Sequence, residues 1–234
     1  MLTNAHPSES HSKKEISRDI ILLAAWSVVL FLCALTLKNY HLKGQPPLWD
    51  SLAYQQQTLQ ILTNWFEGSL REALNGIWEA MSPAYLLALA TSFLLFGFNP
   101  ISPYIASAFF GAGCIIAIYL LSRELGADKR VAFWGVIAFS LLPSFIYQNF
   151  LQTRNDFPAA FFIAFSWIFL LRGIKNKDLR LAFLAGVLAG VGTLFKASTA
   201  GYVAWGILVF LALPEKYTKA NIKDRMYLSL LFVG

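Results

Sequence analysis

The sequence predicts an all-α fold: a polytopic transmembrane helix bundle with amphipathic juxtamembrane helices in the first outer loop. Hydrophobic residues make up 57% of the 234 residues and charged residues only 14%, whereas a soluble domain carries about 25% charged residues. Several apolar runs approach or exceed the roughly 17–25 residues that a helix needs to cross a bilayer. The net charge of +6 comes from short Lys/Arg clusters between these runs. Such clusters are typical of cytoplasmic loops, so they do not indicate nucleic-acid binding.

Seven apolar runs are candidates for spans, and an eighth opens at residue 226. The seven cover residues 20–37, 83–98, 101–122, 131–148, 157–171, 181–197 and 199–213. The first run follows "SKKEISRD" and has no small-residue cleavage site after it, so we predict an uncleaved first transmembrane helix. Because the sequence ends at "MYLSLLFVG", we expect residues 1–234 to be a single transmembrane domain, truncated from a longer protein.

The run 83–98 is predicted not to span. Only "NPI" separates it from the next run, and a backbone cannot reverse in lipid without losing hydrogen bonds. With a cytoplasmic N-terminus and no span here, 14 of the 19 basic residues lie inside and five outside. If the run spans, those two numbers exchange. The positive-inside rule therefore favours a helix that lies at the outer face or packs against the bundle.

Residues 38–100 then form one outer-face loop, and its sequence predicts juxtamembrane helices. Two stretches, "LQILTNWFEG" and "SLREALNGIWEAM", repeat apolar residues at helical spacing. The repeating positions are Leu59, Leu62 and Phe66 in the first stretch and Leu70, Leu74, Ile77 and Met81 in the second. Trp49, Trp65 and Trp78 accompany them, as expected for helices at a membrane interface.

Several ionisable residues face the outer side in this topology. They are Asp50, Glu67, Glu72, Glu79, Arg154, Asp156 and Lys196. Charges at span ends are costly and often functional, but each has an alternative role. Asp50 fits an N-cap, Arg154 and Asp156 fit a surface ion pair or a cap before Pro158, and Lys196 fits snorkelling to headgroups. The three glutamates fit the solvated faces of the juxtamembrane helices.

Other motifs are few. The sequence has no Gly-rich phosphate loop, no HExxH and no Cys/His metal cluster, and Cys33 and Cys114 lie inside apolar runs. We therefore predict no metal ligands among the site residues. The G-x-x-x-G of Gly186 and Gly190, and the small residues around Gly111, predict close helix contacts within the bundle.

The order of several segments resembles that of the GT-C membrane glycosyltransferases, nearest to the protein O-mannosyltransferase and lipid A aminoarabinose transferase group. The segments are "PLWDSLAY", "SFLLFGFNPISPYIASAFFGAG", "YLLSRELGADKRVAFWGVIAFSLLPSF", "TRNDFPAAFF" and "LAGVLAGVGTLFK". The similarity covers most of residues 20–200. It implies the same fold, with juxtamembrane helices between the first two spans.

Four of the five candidate site residues match positions in the family pattern, and the fifth, Arg154, is our own addition. Asp50, followed by Tyr54, matches an Asp in the family's first outer loop, and Asp156 matches a second Asp in the next outer loop. Lys196 matches a Lys that closes a later glycine-rich span. We accordingly expect Asp50 to be the catalytic base, Asp156 to orient the acceptor or the base, and Arg154 and Lys196 to bind the lipid phosphate. Tyr54 is expected to contact the substrate.

Two positions depart from the family pattern. Ser51 stands where the family often has Glu, so a paired-acid or metal role is not carried over to Asp50. "EAMSPAY" matches the family's acid-basic-Pro-Pro stretch only loosely, so Glu79 receives no catalytic role. No cofactor is certain, and a divalent metal is left open.

The predicted function is an inverting membrane glycosyltransferase. It moves a hexose or pentose from a polyprenyl- or dolichyl-phosphate donor to a protein or glycolipid acceptor, at the outer face of the cell membrane. Its partners are the lipid-linked donor, membrane lipid and the acceptor, with no nucleic acid. A transporter or flippase of lipid-linked sugars is the alternative, and it predicts ionisable groups near the bilayer midplane and two broken-helix repeats. A structural subunit has no distinguishing feature in the sequence.

Overall fold

The described part of the protein is built from α-helices and one short π-helical segment. A computed structural model describes residues 9–41, 49–80, 82–212, 221, 223, 224, 226 and 227, and these residues contain no β-strand. The helices are α1 Glu9–His41, α2 Trp49–Phe66, α3 Leu70–Trp78, α4 Pro83–Phe96, α5 Ser102–Glu124, α6 Lys129–Ser140, α7 Pro143–Ile146, α8 Asp156–Asn176, α9 Leu179–Phe195 and α10 Thr199–Ala212, and the π segment is Tyr147–Leu151.

Three helical stretches are long and apolar enough to cross a membrane: Ile16–Lys38, Ser102–Glu124 and Asp156–Asn176. A fourth span forms if Lys129–Ser140 and Pro143–Leu151 are taken together, although they are bent by 66°. The shorter apolar helices are α4, α9 and α10. The predicted all-α membrane helix bundle is confirmed, but its described helices include fewer full-length spans than the apolar runs predict.

The bend falls in the run 131–148, which we predicted as one span, and its cause is Pro143. A proline disfavours helical geometry in the residue before it, and Leu142 is extended, with φ −60° and ψ 130°. After the bend the chain forms the π segment, and Gln152 is again extended.

Helices α5 and α8 lie side by side and run in the same direction. The Cys114 thiol of α5 donates to the carbonyl of Phe157 at the start of α8, at 3.2 Å. Near the other end of both helices, Arg172 Nε donates to Glu124 Oε1 at 2.7 Å. These two contacts fix the relative height of the helices.

Helix α1 runs antiparallel to α5. The Tyr119 hydroxyl donates to Asp19 Oδ2 at 2.7 Å near one end of the pair, and Lys38 Nζ lies 3.2 Å from the ring centroid of Tyr104 near the other. Between them a core of apolar side chains is buried, including Leu23 and Ile115.

The basic clusters of the sequence meet at one end of the bundle. Lys175 Nζ donates to Glu124 Oε2 at 2.8 Å, and Lys129 Nζ lies 3.6 Å from Asp19 Oδ2. The clusters at 123–130 and 172–180 and the start of the first span therefore share this end, which we call the basic end. We call the opposite half of the bundle, which contains the first half of α5, the start of α8 and the end of α9, the site end. The cluster at 214–225 lies mostly outside the described residues.

Helix α4 packs at the site end, antiparallel to the first half of α5. Its Tyr85 and Leu89 are buried with Phe110 of α5 and Phe195 of α9. The turn between α4 and α5 is short. The Asn99 side-chain oxygen accepts hydrogen bonds from the backbone N–H groups of Ile101 and Ser102, at 2.9 and 3.1 Å, and so stabilises the turn. With 14 residues, α4 is about 21 Å long, shorter than the roughly 30 Å hydrocarbon core of a bilayer.

Both predicted juxtamembrane stretches are helical, but their buried faces are narrower than their apolar faces. In α3 the fully buried residue is Ala73, whereas Leu70 and Leu74 are exposed. In α2 Leu62 is buried, and Leu59 and Phe66 are exposed. Met81 lies outside the described residues. The unburied leucines give the two helices an apolar outer face, as expected of interfacial helices.

The predicted close contact is wrong for Gly190. A Cβ at Gly190 would meet nothing within 4 Å, because Gly190, like Gly186, faces a groove between α9 and α10. The close approach of α9 to α8 is made instead at Gly192, where a Cβ would lie 3.0 Å from Ile163 Cδ1. The prediction for the residues around Gly111 is correct, since a Cβ there would overlap the Asn149 amide.

Candidate active site

The short connection 152–155 between the π segment and α8 is attached to the start of α2. Ser51 Oγ donates to Gln152 Oε1 at 3.1 Å and accepts the Thr153 N–H at 3.2 Å. Gln55 Nε2 donates to Thr153 Oγ1 at 3.0 Å. Ser51 is fully buried, so the residue that departs from the family pattern connects two segments of the site.

Asn155 joins three helices at the site end. Its side-chain Nδ2 donates to Ser82 Oγ at 2.6 Å and to the carbonyl of Phe195 at 3.0 Å. Ser82 is the N-cap residue of α4 and Phe195 ends α9. Asn155 is the N-cap residue of α8, but its side chain makes no capping bond. The Asn155 amide group thus donates its hydrogen bonds to two neighbouring helices and does not cap its own helix.

Asp156 and Lys196 form an ion pair, in which Lys196 Nζ donates to Asp156 Oδ1. Asp156 lies in the first turn of α8, and Lys196 is the C-cap residue of α9. Both positions are favourable, because a helix N-terminus attracts negative charge and a C-terminus attracts positive charge. The side chains are 40% and 37% exposed, so either charge can also reach a ligand.

Arg154 retains unused hydrogen-bonding capacity. Its Nη1 donates to Gln148 Oε1 at 3.3 Å, whereas its Nε is buried without a hydrogen-bond partner. A guanidinium offers five N–H donors in a planar fork that suits carboxylate and phosphate groups. Arg154 also lines a cavity at the site end, so its guanidinium group is placed to meet an anion there.

These side chains surround one cavity of about 600 Å³ at the site end. Its lining is Tyr54, Ser82, Gln148, Arg154, Asn155, Asp156, Lys196 and Ala197. The Tyr54 hydroxyl lies 3.4 Å from Ser82 Oγ, and its ring meets the Tyr85 ring edge-on at 5.1 Å between centroids. Four of the five predicted site residues thus share a single cavity, although they come from three separate segments of the chain.

Asp50 lies in the first turn of α2, four residues before Tyr54. Its side chain is outside the described part of the structure, so its role stays a prediction. Within the described residues no group of three or more His, Cys, Asp or Glu side chains could hold a metal ion.

Three polar residues of the cavity were not predicted: Ser82, Gln148 and Asn155. Serine and amide residues are common at helix ends, so their types carry little signal in a sequence. A signal for Asn155 was nevertheless present, because it stands between Arg154 and Asp156 in the polar interruption "RND".

The cavity is suited to a ligand that carries a phosphate. Arg154 and Lys196 supply two cations, and cations stabilise a phosphate whose negative charge grows as it leaves. Asp156 and Tyr54 supply an acceptor and a phenolic hydroxyl for sugar or acceptor hydroxyls.

Comparison with known proteins decides the family. The family model of dolichyl-phosphate-mannose-protein mannosyltransferases matches residues 80–234, well over half of the chain. The chain belongs to this family. No curated protein and no solved structure matches it significantly.

Membership in this family makes the chain a membrane glycosyltransferase. As the family's description states, its members in general use a dolichyl-phosphate sugar donor and a protein acceptor. The segment that matches the mannosyltransferase model contains Ser82, Arg154, Asp156 and Lys196. Tyr54 and Asp50 precede it. Tyr54 is connected to the matched part of the site by its contacts with Ser82 and Tyr85.

Proposed function

We propose that this protein transfers a sugar from a polyprenyl- or dolichyl-phosphate carrier to an acceptor hydroxyl at the outer face of the membrane. The acceptor oxygen forms a bond to C1 of the sugar while the bond from C1 to the phosphate oxygen breaks. The hydroxyl proton passes to a carboxylate, and the lipid phosphate departs. A single displacement of this kind inverts the configuration at C1.

The convergence of Arg154 and Lys196 in one cavity is the observation that carries the proposal. Lys196 is paired with Asp156, and Arg154 lines the same cavity and hydrogen-bonds through Nη1 to the neutral Gln148 amide. As the phosphate leaves, its added negative charge would draw Lys196 from Asp156. Asp156 would then be free to bind an acceptor hydroxyl.

Asp50 is our candidate for the base. Residues four apart share one face of a helix, so Asp50 belongs to the face of α2 that carries Tyr54 into the cavity. A carboxylate that accepts a proton in the transition state accelerates such reactions by about 10²–10⁴-fold.

The distribution of charge supports an outer-face site. The cavity lies at the site end, whereas the basic clusters meet at the basic end. Because basic loops remain in the cytoplasm, the site end faces outward.

The test is sugar transfer by the full-length protein in proteoliposomes supplied with dolichyl-phosphate mannose. We expect Lys196→Gln to lower the transfer rate by about 10²–10³-fold, the effect of removing one donor that stabilises a developing charge. Lys177→Gln is the matched control, because Lys177 is exposed and lies beyond the far end of α8. Equal rates for the two variants would refute the assignment of Lys196.

The same assay tests the base. Asp50→Asn should lower the rate by about 10²–10⁴-fold. A normal rate in this variant would refute the assignment of Asp50 without affecting that of Lys196.

A further inference from the structure

A second cavity, of about 470 Å³, lies between α2 and α3. We call it the α2–α3 cleft. Its polar lining consists of Gln57, Gln60, Asn64, Glu72, Asn75 and Glu79. Its lining includes no lysine, arginine or histidine, so the cleft differs in charge from the active-site cavity.

Five of the six polar side chains are exposed and the sixth, Asn64, is partly exposed, so a ligand can reach them. Within the described residues, none of them makes a side-chain hydrogen bond or an ion pair. An amide both donates and accepts hydrogen bonds, and a carboxylate accepts them. Sugar hydroxyls also do both, so four amides beside two carboxylates complement a surface of neutral hydroxyls. The two carboxylates repel a phosphate.

The floor of the cleft is set by close packing of the two helices. A Cβ at Gly76 would lie 3.2 Å from Ile61 Cγ1, and the neighbouring Ala73 is fully buried. Ile61 is 8% exposed. This contact holds the amide-bearing face of α2 opposite the glutamates of α3, so the packing of the two helices sets the shape of the cleft.

The cleft lies next to the active-site cavity along two segments. On α2, Tyr54 lines the cavity and Gln57 lines the cleft, and these residues are three apart, or about 4.5 Å along the helix. Before α4, Ala80 lines the cleft and Ser82 lines the cavity. A ligand in the cleft can therefore reach the cavity.

We infer that the α2–α3 cleft binds the acceptor and that the acceptor is a saccharide, whose hydroxyl enters the active-site cavity from the side of Tyr54. This inference rests on the proposed function, because it gives the acceptor a place beside the donor phosphate. The two sites differ in charge, so they distinguish the two substrates. Arg154 and Lys196 bind the anionic donor, and the amides with Glu72 and Glu79 bind the neutral acceptor.

The experiment measures binding rather than transfer. The full-length protein in lipid nanodiscs is titrated with mannobiose and followed by saturation-transfer NMR. We expect the double variant Gln60→Ala, Glu79→Gln to bind mannobiose about tenfold more weakly, the result of losing two hydrogen bonds of modest net strength. The matched control is Gln56→Ala, Glu67→Gln, since these residues are exposed and line neither cavity.

Each outcome decides the inference. Weaker binding in the cleft variant alone supports it. No binding by the unaltered protein, or equal binding by the two double variants, overturns it. If an unglycosylated Ser/Thr peptide binds instead and loses affinity in the cleft variant, the saccharide assignment is wrong. Binding of dolichyl phosphate, measured in parallel, should weaken in Lys196→Gln but not in the cleft variant, so failure of the cleft and failure of the donor site remain distinguishable.

Discussion

Asn155 is the residue on which the geometry of the candidate site depends most directly. Its amide bonds to Ser82 and to the Phe195 carbonyl, and it stands between the two charged residues of the loop. Any displacement of Asn155 moves the start of α8 relative to the end of α9. The ion pair between Asp156 and Lys196 bridges those same two helix ends.

We predict that Asn155→Ala destabilises the protein by about 1–3 kcal/mol, because it removes two buried hydrogen bonds and leaves the Phe195 carbonyl without the Asn155 donor. The measurement is the midpoint of thermal unfolding in detergent. Asn176→Ala is the control, since Asn176 is exposed at the end of α8. Equal midpoints for the two variants would contradict the role of Asn155.

For individual residues, the sequence predicted the charged side chains of the site but not the neutral polar side chains Ser82, Gln148 and Asn155. Arg154, Asp156 and Lys196 are conspicuous because charge is rare in an apolar chain. Ser82 and Asn155 are not, because their role depends on which helix ends meet, and this is decided by tertiary packing. The Asp50 side chain lies outside the described residues and remains untested.

Among the elements, the π segment is the one that connects the bent span to the site. Asn149, in its middle, is 1% exposed, and both of its amide atoms lack hydrogen-bond partners. It packs on Gly111 of α5, where a Cβ would overlap the amide. π-helical turns often occur next to functional sites, and this one places Gln148 in the cavity.

We predict that Gly111→Ala destabilises the protein by about 1–3 kcal/mol, as overpacked cores do. Adding Asn149→Ala should recover most of the lost stability, because it removes the side chain that the new methyl group contacts. Thermal unfolding of the single and double variants measures this coupling.

Gly135→Ala is the control for this pair, since a Cβ there meets nothing within 4 Å. In a helix interior this exchange should stabilise by about 0.5–1 kcal/mol. If Asn149→Ala fails to restore stability to Gly111→Ala, the contact between the two residues is not what fixes the π segment.

The apolar runs predicted where the helices lie, but not how they bend or which ones extend across a bilayer. Pro143 carried the signal for the bend, since proline restricts the residue before it. The π segment had no comparable signal, because an extra residue in one turn leaves hydrophobic periodicity almost unchanged.

At the scale of the whole molecule, the basic clusters lie at the end of the bundle opposite the candidate site. Glu124 and Asp19 hold cations of the basic end in place, while Lys196 and Arg154 lie at the opposite end. The count of basic residues predicted this separation, because it depends only on the order of runs and loops along the chain.

We predict that a single cysteine at position 198, introduced as Ser198→Cys, reacts with a membrane-impermeant maleimide in intact cells. A cysteine at position 177, from Lys177→Cys, should react only after permeabilisation. Both residues are exposed, and the two native cysteines would be replaced as Cys33→Ser and Cys114→Ala. The reverse labelling pattern would place the candidate site in the cytoplasm.

The contact between Cys114 and Phe157 has a further consequence for the reaction. Cys114 lies twelve residues after Ser102, the first residue of α5. The start of α8 is therefore level with the middle of α5, about 18 Å from its first residue in the direction of the basic end. The first half of α5, and α4 packed against it, thus extend past the charged residues of the proposed site. Water competes with any acceptor for an activated sugar, and a recessed site limits its supply. The depth of the recess would therefore favour transfer over wasteful hydrolysis of the donor.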